Sequence, residues 1–115
     1  MTTPAGIDEL PLARLREAGG KEFEDRIIRL FLLHVPVRLA TARAAGAAGD
    51  LEGVRFHAHS LKASAGQLGA TRMADLCREA ERLGEAGDPA AVALLNEAGV
   101  ELEAMCDWLM ARLVA

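Results

Sequence analysis

The sequence predicts an all-α fold: an antiparallel up-down-up-down four-helix bundle with a short extra helix at its N-terminus. Three observations predict it. Alanine is the commonest residue, 23 of 115, and a chain rich in Ala, Leu, Arg and Glu favours helix. Only Phe23, Phe31, Phe56 and Trp108 are aromatic, and Tyr is absent. That disfavours an all-β module, an RNA-binding sheet or an aromatic stacking platform. Apolar residues recur at steps of three and four, and Gly, Asp and Pro cut the pattern into helix-length pieces.

Each element has its own signals. A short first helix is expected from about Ile7 to Ala18, stopping at Gly19-Gly20. Pro11 suits a first turn, so ordered helix is expected from there. A second helix runs from Lys21 to Ala48, with Phe23, Ile27, Ile28, Phe31, Val35 and Leu39 on one stripe. Pro36 is expected to kink it, because Pro lacks a backbone donor and crowds the preceding turn. Gly49-Asp50 ends this helix, and Asp50 is placed to cap the next. The third helix covers Leu51 to Leu68, with Leu51, Val54, Ala58, Leu61, Ala65 and Leu68 facing inward and Gly69 as its stop. The fourth runs from Ala70 to Glu85 on Met73, Leu76, Ala80 and Leu83; Gly84 and Gly87 loosen its end. Asp88-Pro89 starts a fifth, which reaches Val114 on Val92, Leu95, Leu102, Met105, Leu109 and Leu113. Connections of two to five residues make successive helices antiparallel. One domain is expected over 1–115, with 1–6 flexible, and Met1 with a complete helix set points to a free-standing protein, expected to be a monomer.

Charge and composition exclude several function classes. Thirteen Lys and Arg against 17 Asp and Glu give a net charge of −4, without the basic excess of a nucleic-acid binder. No signal peptide pattern is present. The longest apolar stretch, Ile27 to Val37, is broken by Arg29, His34 and Pro36, too short and too polar for a membrane span. Cys77 and Cys106 make no disulfide framework; a cytoplasmic setting with reduced, buried thiols is expected. His34 reads as a hydrogen-bonded structural residue.

One constellation carries chemistry, Arg55-Phe56-His57-Ala58-His59-Ser60-Leu61-Lys62. At about 100° per residue, His59 points roughly 130° from the apolar stripe, toward solvent. His57 lies about 70° off the stripe and roughly 160° from His59, so the two cannot share a metal. Arg55 and Lys62 stand four before and three after His59, both neighbours on the helix surface. An exposed neutral imidazole is a good nucleophile, and flanking cations stabilise a phosphoryl group on it. Ala63 and Gly66 leave room for another protein's surface, and outward-facing Phe56 offers apolar docking area. Spacing alone also fits an ordinary surface histidine.

The run Ala58-His59-Ser60-Leu61-Lys62-Ala63-Ser64-Ala65-Gly66-Gln67-Leu68-Gly69-Ala70 closely resembles the signature of histidine-containing phosphotransfer (HPt) domains. Leu30-Phe31 through Pro36 to Leu39 resembles that family's second helix, and Leu76-Cys77-Arg78-Glu79 its helix after the signature. The resemblance implies that His59 is phosphorylated and that Lys62 steadies the phosphoryl group. It places Arg55, Phe56, Ala63, Ser64, Gly66 and Gln67 in or near the docking surface. Ala63 stands where the family usually has Gly, which adds one methyl to that surface. The implied function is a phosphorelay carrier, taking the group from a receiver-domain aspartyl phosphate or a histidine kinase system and passing it to a response-regulator aspartate. The implied partners are response-regulator receiver domains and a sensor histidine kinase, hybrid forms included, with no nucleic acid and no membrane.

The remaining residues support no other chemistry. There is no G-x-x-x-x-G-K-[ST] and no G-x-G-x-x-G, so the chain is expected to be no kinase, and no enzyme by itself. No cofactor or metal is expected on this chain; Mg²⁺ is expected in the partner receiver, since no carboxylate cluster is expected near His59. Glu79, Glu81 and Glu85 read as a solvated helix face. The alternative is a helical docking or dimerisation module that binds receiver or kinase domains without carrying phosphate.

Overall fold

The computed structural model describes residues 2–114; residues 1 and 115 of the expected 1–115 domain lie outside them. Four helices follow in order: α1 (Leu10–Ala47), α2 (Leu51–Gln67), α3 (Thr71–Glu85) and α4 (Ala91–Val114), with no strand among the described residues. They form an elongated bundle of 43 × 22 × 20 Å. Each helix packs against its neighbours in chain order, and α4 returns to α1. The core is the set of inward stripes read from the sequence, among them Ile28, Phe31, Val35 and Leu39 on α1, Val54, Ala58, Leu61 and Ala65 on α2, Met73 and Cys77 on α3, and Leu95, Leu102, Met105 and Leu109 on α4.

The two helices expected on either side of Gly19-Gly20 are both present, and α1 spans them with a break at Gly20. Gly20, at φ +80° and ψ −178°, is the one residue inside α1 with non-helical torsion angles. A positive φ costs a residue without Cβ very little, so the chain turns at one residue and resumes its helix. The short element is therefore the first part of α1. Pro36 also lies inside α1, and helical torsion angles continue through it.

A buried carboxylate holds this break together. Glu24 shares the inward face of Ile28 and Phe31 and is fully buried. It accepts from Arg16 Nε and Nη2 at 3.2 and 2.8 Å, and from Arg112 Nη2 at 2.8 Å. Arg16 precedes Gly20 and Arg112 is in the last turn of α4, so one side chain joins three pieces of backbone. Arg112 also lies over the Trp108 ring, 5.1 Å from its centroid. Burial pushes the Glu24 carboxyl up, but hydrogen bonds from Arg112 and Arg16 outweigh it and leave it below its ordinary value.

The connections follow their local signals. Asp50 caps α2 by accepting from Gly53 N at 2.9 Å. Asp88 Oδ1 accepts from Ala90 N at 2.9 Å, which makes Asp88-Pro89-Ala90 a turn and delays α4 to Ala91, two residues later than expected. Gly69 ends α2 at φ +85°. Its carbonyl accepts from Asp8 N at 2.8 Å, and the Gly6 carbonyl accepts from Arg72 N at 3.2 Å and Thr71 Oγ1 at 2.9 Å. The N-terminal segment is thereby strapped across the α2–α3 turn.

Candidate functional site

The register of α2 follows from its cap and its core face. With Val54, Ala58, Leu61 and Ala65 buried, residue 59 projects from the opposite side. The His59 side chain is 65% exposed. Lys62, one turn on, is 28% exposed and sits on the flank toward α3.

What lies beside them comes from α3. Gly84 is buried against the α2 backbone: a Cβ there would stand 3.1 Å from the Leu51 carbonyl oxygen and 3.2 Å from Arg55 N. This close approach brings Glu81, one turn before Gly84, against the chemistry-bearing face of α2. One Glu81 carboxylate oxygen meets His59 Nδ1, and the other accepts from Lys62 Nζ at 2.6 Å. The hydrogen bond from Lys62 lowers the Glu81 carboxyl pKa most; partial burial opposes it and the bond from His59 adds to it. Glu81 is thus ionised at neutral pH. One expectation is corrected here: Glu81 does not belong to a solvated face, but stands as a single carboxylate beside His59.

Arg55, expected to bracket His59, is paired with another residue. Its guanidinium is held by Glu52, with Nη2 to Oε1 at 2.6 Å. Of the two expected cations, only Lys62 is joined to His59, through Glu81. His57 is on the α1 side of α2, half-buried, its ring edge-on to Phe56 at 5.2 Å. The two histidines therefore serve separate faces.

The residues expected around the docking surface lie as follows. Phe56 is 58% exposed. Ala63, Gly66 and Gln67 are exposed and Ser64 half-buried. Nothing lies within 4 Å of a Cβ built on Gly66, so this strip is open. Ser64 and Gln67 line a cleft of about 230 Å³ with Leu30, His34 and Leu68. His34, expected to be structural, is solvent-exposed at that cleft. Leu30, Leu33 and Val37 of α1 are also exposed and extend the apolar surface beside α2. Cys77 is buried, which pushes its thiol up to about 12; Cys106 is half-buried and raised by burial and by Asp107. Neither is poised as a thiolate. No helix among the described residues is long and apolar enough to cross a membrane.

An Hpt domain model matches residues 26–111, a span that contains every side chain of this cluster. The chain belongs to the Hpt domain family. The Hpt fold also accounts for the helical bundle. The structure is similar to that of histidine-containing phosphotransfer protein B from Pseudomonas aeruginosa PAO1, with a TM-score of 0.90 and 27% identity over 98% of this chain and 99% of that one. No curated protein matches the sequence. As an Hpt domain, the chain is a histidine phosphotransfer protein of a phosphorelay.

Proposed function

We propose that His59 is the phosphoryl acceptor of this Hpt domain, taking the group from a receiver-domain aspartyl phosphate and returning it to the aspartate of another receiver. One observation carries the reading. The histidine at the signature position stands out from a rigid helix, 65% exposed, with a lysine one turn away. Transfer of a phosphoryl group asks mainly for positioning and charge stabilisation. A convex helix face lets the imidazole enter a partner's concave site. Lys62 has an ammonium to offer the phosphoryl oxygens. Phe56, Ala63, Ser64, Gly66 and Gln67 supply the surface on which the receiver rests, and Arg55 adds charge at its edge. Mg²⁺ is assigned to the receiver's own acidic pocket.

The test is transfer of label from a phosphorylated receiver. Wild type takes up a label that is acid-labile and base-stable, as phosphohistidine is. His59→Gln takes up none, while His57→Gln is labelled normally. Lys62→Ala is labelled about tenfold more slowly, the worth of one hydrogen bond to a charged group. Label retained in His59→Gln defeats the assignment. Receiver binding without any labelling of wild type favours the docking module instead.

A further inference from the structure

We infer that Arg55 is a second phosphoryl-binding residue, which exchanges Glu52 for the phosphoryl oxygens once His59 is phosphorylated, and that Glu52 is thereby a counterweight to the loaded state; the inference rests on His59 being the acceptor.

A phosphoryl group brings about two negative charges at neutral pH. On His59 it arrives beside a carboxylate, and the Lys62 ammonium is already shared with that carboxylate at 2.6 Å. The next cation along the row is Arg55, four residues before His59. Helical side chains lean toward the N-terminus of their helix, so a side chain at 59 leans over the turn that carries Arg55. Arg55 leans the same way, onto Glu52, with Nε at 3.0 Å and Nη2 at 2.6 Å from Oε1. Glu52 raises the Arg55 guanidinium most, and Glu85 and Glu81 of α3 raise it further. Arg55 therefore stands within the field of the carboxylate that touches His59 and Lys62. Its present partner is held only loosely: the Glu52 side chain is 74% exposed, and the bond from Arg55 is the main cause that lowers its carboxyl.

The two pairings of the guanidinium differ in strength. An exposed ion pair gains little, because water screens it and two long side chains must be held in one geometry. Glu52 loses little on release, since its carboxylate already stands in solvent. Phosphoryl oxygens carry more charge, and the guanidinium fork can give them two parallel N–H···O bonds. The exchange is therefore unfavourable while His59 is empty and favourable once it is loaded. No proton moves and no covalent bond changes; one ion pair replaces another. The consequence falls on the partition of the phosphoryl group between this chain and a receiver. A contact made only in the loaded state draws the group toward His59, and a contact made only in the empty state works against it. Arg55 makes one of each. Its net worth to the loaded state is about fivefold in the partition constant, and the Glu52 pair holds back about twofold.

The experiment joins a spectroscopic reading to an equilibrium one. The chain is phosphorylated with phosphoramidate while the ¹H–¹⁵N signal of Arg55 Nε is followed. The partition of label between the chain and a phosphorylated receiver is then measured in wild type, Arg55→Ala, Arg55→Lys, Glu52→Gln and the double variant Arg55→Ala/Glu52→Gln. In wild type the Arg55 signal moves on phosphorylation; in His59→Gln it stays. Arg55→Ala lowers the partition constant toward this chain about fivefold, and Arg55→Lys, with the charge but not the fork, recovers part of it. Glu52→Gln raises the constant about twofold and has no effect once Arg55 is gone. An Arg55 signal that phosphorylation leaves in place overturns the inference, and so does an alanine variant with wild-type partition. A Glu52→Gln gain that persists without Arg55 overturns it too, because the lost negative charge then acts on the phosphoryl group directly. Should Arg55→Ala fail to fold, the wild-type signal and Glu52→Gln decide. If wild type takes no label, or His59→Gln keeps it, the acceptor assignment fails and this inference with it. Labelled wild type with an unmoved Arg55 signal removes this inference alone.

Discussion

Replacing Glu24 by Ala tests the reading of the buried ion cluster. The carboxylate has no exposed surface and three N–H···O contacts of 2.8 to 3.2 Å. Removing one partner of a fully buried pair costs about 3–5 kcal/mol, because the other charge is stranded. Here the stranding is uneven. The Arg16 side chain is 51% exposed and turns to water; that of Arg112 is 21% exposed and cannot fully do so. Arg112 Nε is already buried without a partner. The lower end of the range applies, about 3 kcal/mol, or roughly 12 °C in Tm for a chain of this size. Urea denaturation followed by circular dichroism at pH 7 reads it directly. The sign with pH follows from the lowered carboxyl. Its contribution is fully present above 4.5, the ordinary value, and is lost as pH falls below that through the folded-state value. The gap between wild type and variant therefore narrows from pH 6 to pH 3. A loss under about 1 kcal/mol at pH 7, or a gap that ignores acid, refutes the reasoning.

Two further substitutions probe close approaches. Gly84→Val places a branched side chain where even a Cβ lies 3.1 Å from the Leu51 carbonyl oxygen; overpacking should cost about 2 kcal/mol in urea denaturation and pull Glu81 away from Lys62. Gly84→Ala should be near neutral, because its helix propensity gain of about 1 kcal/mol offsets a smaller clash. A valine variant as stable as wild type contradicts the packing described. Gly69→Ala must adopt φ +85° and puts its Cβ 2.0 Å from the Asp8 carbonyl oxygen. We expect a loss of about 2 kcal/mol from strain and clash together, with the Asp8 and Arg72 amides losing protection in hydrogen exchange. Unchanged protection would show that the strap does not depend on this glycine.

The bundle was legible because its evidence is local. Apolar stripes report the inward face, and Asp50 and Gly69 start and end α2 by their own chemistry. The first break was legible as well, because the Gly19-Gly20 pair marks the residue at which the backbone leaves helical torsion angles. Position 59 was legible too, since helical angles alone put it outward. Glu81 was hidden: it lies 22 residues from His59, and helical periodicity says nothing about which two helices touch. The available signal was Gly84, whose place in the inward row of α3 marks a backbone approach and not a loosened end. Glu24 had a signal as well, an acid four residues before Ile28 on the stripe of Phe31 and Val35.

The imidazole of His59 is gripped from one side and has no roof among the described residues. A phosphoryl group on that ring would stand in water between encounters, so its survival there would rest on the nitrogen–phosphorus bond and not on any chamber of this protein. The visiting receiver would bring the enclosure with it. A donor without walls would impose no shape on its callers, and the choice among them would fall to the terrain outside the reacting atoms, where Phe56, Leu33 and Val37 stand proud.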